Sequence, residues 1–364
     1  MSSLENILSN ELGVQRSSFG STARSMLCTL LCAIFSLTSR REVIVPSFCC
    51  ESVLISVLIS GGKPVLNDVS FSNYSISIDH TKTLITRDTA AVIVPHMFGI
   101  SAYSDQLFEL HDKHKSIFWI DDACQTFLNL DASGRRIGFE LDFGLISFHE
   151  SKPLSGKLGG VLLTCEKSDA HLIMDKLKNN NTKFIDPSIH HQLRRFQEHY
   201  FSALIGLNRD LSIPSVANPL YIDKLRFLYS EIITPSVTEL LQAGQSIRQS
   251  LSQSDQIFPN NYFATYLMPS PHYIIYHPRQ SDRLWRVPLL LESPDHQRPL
   301  SYQLRSSRIN VSNHYYPLSS LFPQYSQGRY QAESISSRIL NLWFDSIVQA
   351  VRAAEIISTY FQKL

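Results

Sequence analysis

Three short stretches of this chain carry residue types that could do chemistry together. The first is SFHESKPLSGKLGG, residues 147–160, in which Ser147 offers a hydroxyl and Lys152, five residues on, an amine ahead of paired glycines. Lysine sits poorly in an apolar neighbourhood unless something there uses its amine. The second is WIDDACQTF, residues 119–127, where the carboxylate of Asp122 ends an apolar run and the amide of Gln125 follows three residues later. The third is FGSTARSML, residues 19–27, small polar residues opening a helix. Exposed backbone N–H groups at a helix start favour an anion such as a phosphate. Each stretch alone has an ordinary explanation: a solvated loop lysine, an aspartate closing a turn, a serine or threonine capping a helix. Together they meet the requirements of pyridoxal phosphate. Lys152 would form the Schiff base with the aldehyde. Asp122 would pair with the protonated ring nitrogen and keep the ring an electron sink. Gln125 would donate to the ring oxygen beside the imine, and Ser147 with the helix start at Ser21, Thr22 and Ala23 would hold the phosphate.

Such residues need a frame that brings distant stretches to one edge. EVIVP (42–46), KPVLNDV (63–69), AAVIVPHMFG (90–99), SIFWIDDA (116–123), FGLISFH (143–149) and GGVLLTC (159–165) read as strands or as strands running into loops. Helical patterns lie between them at 52–60 and 101–114, the second with Ser101 or Ser104 as cap. Continuous Val/Ile/Leu strands alternating with helices indicate an α/β fold with a mostly parallel sheet covered on both faces. Ligands collect at the carboxyl edge of such a sheet, where His96, Asp121, Asp122, Gln125, Ser147 and Lys152 fall.

The 167–219 stretch is polar and turn-rich and reads as a loop at or near a domain or subunit boundary, with a helical pattern over 199–211. Short strands at 273–278, 285–292 and 309–317 and a long helical segment at 344–364 then suggest a smaller α+β domain. The expected division is a large cofactor domain over residues 1–219 and a small domain over 220–364. The length of 364 residues agrees with about two domains.

Composition is that of a globular protein, 43% hydrophobic and 18% charged, and the formal charge of +1 leaves no electrostatic footprint for nucleic acid or an anionic membrane. The longest apolar run, residues 25–37, falls short of the roughly twenty residues a membrane-crossing helix needs. It reads as a buried helix, with Cys28 and Cys32 on one packed face. No basic leader precedes it, and none of the six cysteines forms a metal-type pair, so reduced thiols in a cytoplasmic protein are expected and no metal site.

In order along the chain, GSTARS, REVIVPSFCC, GGKPVLNDV, VPHMFG, DDACQ and SFHESKPL…GG match the motif series of a known family, and AESISSRILNLWF near the end continues it. The chain resembles the DegT/DnrJ/StrS aminotransferases from about residue 18 to its end, most clearly over 42–165. The resemblance implies the fold-type-I architecture of pyridoxal-phosphate-dependent, aspartate-aminotransferase-like transferases. It implies Lys152 as Schiff-base lysine, Asp122 as pyridinium partner, Gln125 as ring-oxygen donor, Thr22 and Ser147 as phosphate ligands, and position 124 against one ring face. Where the family stacks an aromatic ring on the cofactor, this chain has Cys50. Cys124 stands for an alanine, and Leu158 for an acidic residue. The partner-subunit asparagine has no match, with Arg195 near its place, and ILNLWF lacks the usual proline.

The implied reaction transfers an amino group, from glutamate as donor, to a keto sugar linked to a nucleotide, with pyridoxal 5′-phosphate as cofactor. A relative with histidine in place of the lysine dehydrates instead; the lysine here favours amino transfer. The alternatives are dehydration, amination of a cyclitol, or a non-catalytic relative. The family implies a homodimer, with the apolar first helix and the 167–219 loop as candidate surfaces. His96 could line the pocket or make a structural hydrogen bond. His314, Tyr315 and Tyr316 could meet a sugar or nucleotide, or simply pack on the small domain.

Overall fold

The computed structural model describes residues 12–14, 16–20, 22–155, 160–164, 172–173, 237–252, 258–279, 282–328 and 330–364. The first sheet runs β1 (Arg16–Gly20), β2 (Glu42–Pro46), β3 (Lys63–Asn67), β4 (Thr89–Pro95), β5 (Phe118–Asp122), β6 (Phe143–Ser147) and β7 (Gly160–Thr164), in the spatial order β1-β7-β6-β5-β4-β2-β3. The five strands from β3 to β6 are mutually parallel, and β7 runs antiparallel to both of its neighbours. The β-branched runs explain this. Val43, Ile44, Val45 and Val92–Val94 have no exposed surface, and each such side chain contributes roughly 1.5–3 kcal/mol by leaving water.

Chain order fixes where a ligand must sit. From β2 the chain steps one way to β3 and then crosses to the other side for β4, β5 and β6. The carboxyl ends of β2 and β4 therefore border the point where the winding reverses, the crevice that binds ligands in open α/β sheets.

Helix α1 (Ala23–Leu37) starts at Thr22, whose hydroxyl oxygen accepts from the Ser25 N–H at 3.1 Å. Ten of its residues are buried within the chain, against α2 (Glu51–Ile59), β6 and β7. Its apolar face is thus packed within the chain. Cys28 is buried, but Cys32 is exposed, so the shared packed face expected for the two is corrected. The i to i+4 spacing drifts far enough around this helix to carry the second thiol out of the core. Between 101 and 114, helix α4 (Asp105–Lys113) follows α3 (Ile78–Leu84), and its cap is Ser104, which accepts from Leu107 N–H at 3.2 Å.

The second sheet is antiparallel, in the order β10 (Asn310–Ser312), β11 (Ile339–Trp343), β9 (Val287–Leu291), β8 (Tyr273–Ile275). It packs under α6 (Pro259–Tyr266), α7 (Gln297–Ser306) and the terminal α10 (Ile347–Gln362), after α5 (Val237–Ser252) and with the short α8 (Leu318–Leu321) and α9 (Gln331–Arg338) inserted before β11. The strand expected over 309–317 stops at Ser312, and the chain beyond it leaves the ladder toward the first sheet, where Leu318 N–H donates to Ser47 O at 2.7 Å. The 219/220 boundary, the 199–211 helix and, apart from residues 172–173, the 167–219 loop lie outside the described residues, as do Ser21, Leu158 and Arg195. No described helix is long and apolar enough to cross a membrane.

Candidate active site

Strand alternation separates the two aspartates of DDACQ. Asp121 points into the core beneath the sheet, fully buried, and accepts from Tyr103 Oη at 2.8 Å and from the N–H groups of Glu140 and Leu141, each at 3.1 Å. His96 shares this cluster. Its Nε2 lies 3.0 Å from Asp121, and its Nδ1 accepts from Ala102 N–H at 3.0 Å, which assigns the proton to Nε2 as donor. With both nitrogens engaged and no exposed surface, His96 braces the β4–β5 edge from behind and is not brought to the cleft.

Asp122 takes the opposite face. It is half-buried, and its Oδ1 accepts from the Cys124 N–H at 3.1 Å. The Cys124 thiol is pushed well above the ordinary thiol range by burial first, then by the Asp122 carboxylate, while the Lys152 amine pulls it back. Cys50, at the start of α2, is raised to about 11 by burial and by Glu51, and Lys152 again opposes the shift. Both cysteines are crowded by protein on most sides yet keep some solvent access, the condition of a cleft wall. Asp122 and Lys152 therefore act on one thiol, Cys124, from the same cleft.

Lys152 stands in the turn after β6, held by its N–H to His149 O at 2.8 Å, and its Nζ lies 4.9 Å over the Trp285 ring. Ser147, the buried last residue of β6, accepts from His149 N–H at 3.4 Å. Register places the helix start beside it: Ser147 pairs with Gly160, and Gly160 with Gly20, two residues before Thr22. Thr22, Ala23 and the start of α1 thus share an edge with Ser147, a suitable cradle for a phosphate.

Gln125 is buried, its Oε1 accepting from Phe98 N–H at 2.9 Å and its Nε2 donating to Tyr315 Oη at 3.1 Å. Tyr315 is buried as well, its hydroxyl driven well up by burial and by the neighbouring Cys50, Glu51 and Asp122. His314 beside it is solvent-exposed and lines the same crowded cleft; burial of its surroundings and Arg286 lower its imidazole pKa, against Glu51. Of the expected residues, Thr22, Ala23, Cys50, Asp122, Cys124, Gln125, Ser147 and Lys152 lie at this edge of the first sheet with Tyr315 and His314 facing them, His96 is turned away, and Ser21 is outside the described residues.

Sequence reasoning missed Trp285, Arg286 and Trp343. Trp285 is fixed from two sides, its N–H donating to Phe98 O at 2.8 Å and its carbonyl accepting from Asn260 Nδ2 at 2.8 Å. The Arg286 guanidinium lies over Trp285 at 4.2 Å and over Trp343 at 4.4 Å. The only linear signal was an aromatic–arginine pair leading into a strand of the second sheet, more than a hundred residues from Lys152.

The donor set fits pyridoxal phosphate: a carboxylate, an amine beyond it across a half-open thiol wall, and a helix start in register with a serine. Among the described residues no group of three His, Cys, Asp or Glu is placed to hold a metal.

Comparison with known proteins agrees. Protein MosB of Rhizobium meliloti is 32% identical over 133 residues, 36% of this chain and 26% of that protein. GDP-perosamine synthase of Vibrio cholerae is 27% identical over 153 residues, 41% of this chain and 40% of that enzyme. The matched stretch thus spans between about a quarter and two fifths of these curated relatives. The structure of Helicobacter pylori PseC, an aminotransferase involved in the biosynthesis of pseudoaminic acid, superposes with a TM-score of 0.75 over 99% of this chain and 91% of that one, at 17% identity. The fold is therefore fold-type I. A sequence profile matches residues 2–209, more than half the chain and all of the cleft's first-sheet residues, and on that ground the chain belongs to the DegT/DnrJ/EryC1/StrS aminotransferase family.

Proposed function

We propose that the protein is a pyridoxal-5′-phosphate-dependent aminotransferase that moves an amino group from L-glutamate to a keto sugar carried on a nucleotide, as a cytoplasmic homodimer with a large cofactor domain and a small domain divided near residue 219. The observation that supports this reading is strand register: Asp122 ends β5 beside Leu145 of the parallel β6, and Lys152 stands in the turn that follows β6, so a carboxylate and an amine emerge at one edge of the sheet.

When bound, the cofactor supplies an aldehyde that captures amines and a ring that draws electron density from the carbon losing its proton. Asp122 would pair with the ring nitrogen. Gln125 keeps a second N–H on Nε2, which meets only the weak acceptor Met97 Sδ at 3.6 Å, and can turn it to a ring oxygen. Ser147, Thr22 and the α1 start would hold the phosphate. Lys152 Nζ takes the proton from the donor's α-carbon and returns one to the acceptor carbon. Tyr315 and His314 on the second-sheet side close over the acceptor. The relatives support the acceptor class: GDP-perosamine synthase is one.

Absorbance tests the assignment. The purified protein given the cofactor should show a visible band that bleaches with glutamate and is absent in Lys152→Ala. An unchanged band in Lys152→Ala overturns the reading.

A further inference from the structure

We infer that Arg286 is the carboxylate receptor of this cleft, gripping the amino donor and its 2-oxo acid product; this rests on the aminotransferase reading above. The Arg286 guanidinium lies over two indoles, Trp285 at 4.2 Å and Trp343 at 4.4 Å. Stacking of this kind occupies the guanidinium's faces and leaves its five N–H donors at the edge. Among the described residues no carboxylate or carbonyl takes any of those donors, although the other buried and half-buried arginines described in the second sheet's neighbourhood have such a partner: Arg283 donates to Ser250 O and Arg338 to Ser334 O. Burial also lowers the Arg286 pKa, and the Tyr315 hydroxyl, not a carboxylate, opposes that shift. A desolvated guanidinium without an anion is costly, and the planar fork matches a carboxylate in bidentate fashion.

Position narrows the ligand. Lys152 Nζ at 4.9 Å and Arg286 Cζ at 4.2 Å refer to the same Trp285 ring, so together the two distances cap their separation at about 9 Å. A carbon being deprotonated sits about 3–3.5 Å from its base, and fork hydrogen bonds are about 2.8 Å long. What remains fits a carboxylate one to a few bonds from the reacting carbon, the layout of an amino acid. A nucleotide phosphate, joined to its keto carbon through a sugar ring, reaches further. Trp285 makes the arrangement rigid, since its backbone is pinned at both ends to Phe98 and Asn260.

The test is ligand binding to the full-length protein loaded with cofactor. Glutarate, an unreactive dicarboxylate, and uridine and guanosine diphosphates are titrated separately by calorimetry and by quenching of tryptophan emission. Arg286→Gln should weaken glutarate binding about 20- to 100-fold and leave the diphosphates within about threefold. Arg286→Lys, which keeps the charge and loses the fork, should lie between. The cofactor band must persist in both variants, which separates this inference from the Lys152 assignment and confirms folding. Unchanged glutarate affinity in both variants overturns the inference, as does an absence of glutarate binding in the unaltered protein. Weakened diphosphate binding with glutarate unaffected reassigns the fork to phosphate and likewise overturns it.

Discussion

Gln125 and Tyr315, 190 residues apart in sequence, are joined by a 3.1 Å hydrogen bond that ties the first sheet's cleft to the second sheet. The same amide accepts from Phe98 N–H at 2.9 Å, so one side chain holds three segments. Tyr315→Phe removes one neutral bond and should lower unfolding free energy by about 1 kcal/mol. Gln125→Ala leaves a buried N–H and a buried hydroxyl unpaired and should cost about 2–4 kcal/mol. Urea denaturation of the two variants checks the ranking; equal losses would show that the Phe98 bond is unimportant.

Gly99 is the residue on which the cleft wall closes. Its φ is +89°, and a Cβ there would meet Arg283 O at 2.6 Å and Trp285 N at 3.0 Å, both backbone atoms that cannot swing aside. Gly99→Ala should therefore destabilise by about 3 kcal/mol or more. It should also push Trp285 off Lys152, read as a shift in tryptophan emission at temperatures where the variant is still folded. A variant matching the parent in both readings would mean the loop yields easily.

The strands that position the site were legible because burial on both faces demands continuous apolar runs, and EVIVP and TAAVIVP satisfy nothing else. Asp122, Gln125, Ser147 and Lys152 were legible because they sit directly after such runs, where the chain must emerge at one edge. Strand β1 was not: RSSFG carries no apolar run, and only pairing with β7 makes it a strand. His96 follows a strand just as Asp122 does, yet neighbouring alternation turns it and Asp121 to the other face, a parity that spacing alone leaves open. Tyr315 was legible as an aromatic near a boundary, but its bond to Gln125 belongs to the docking of two sheets. Arg286 carried only a weak local signature, the Trp285 beside it, because its meaning lies also in Trp343, brought from elsewhere.

Thiol chemistry reads the cleft's electrostatics without any cofactor. Cys50 has a pKa of about 11, so only about one part in ten thousand is thiolate at pH 7, and its alkylation rate should climb tenfold per pH unit up to that value. Exposed Cys32 should react first with iodoacetamide, ahead of Cys49, Cys50 and Cys124, as peptide mapping by mass spectrometry would show. Lys152 lowers the Cys50 pKa, so Lys152→Ala should raise it and slow Cys50 alkylation at fixed pH. Faster labelling in that variant would place the amine elsewhere.

Asp122→Asn separates the carboxylate's charge from its structural bond. The amide oxygen of asparagine can still accept from the Cys124 N–H now bonded at 3.1 Å, so the turn after β5 should keep its shape and the unfolding midpoint should change little. What is lost is the negative charge that keeps a protonated ring nitrogen favourable. On the aminotransferase reading, kcat should fall by about 10²–10³, with KM for the donor moved far less because Arg286, not Asp122, grips its carboxylate. The cofactor band should remain, since Lys152 is intact. A variant with full turnover would remove Asp122 from the chemistry, and one that loses turnover together with its thermal midpoint would make the residue a structural one.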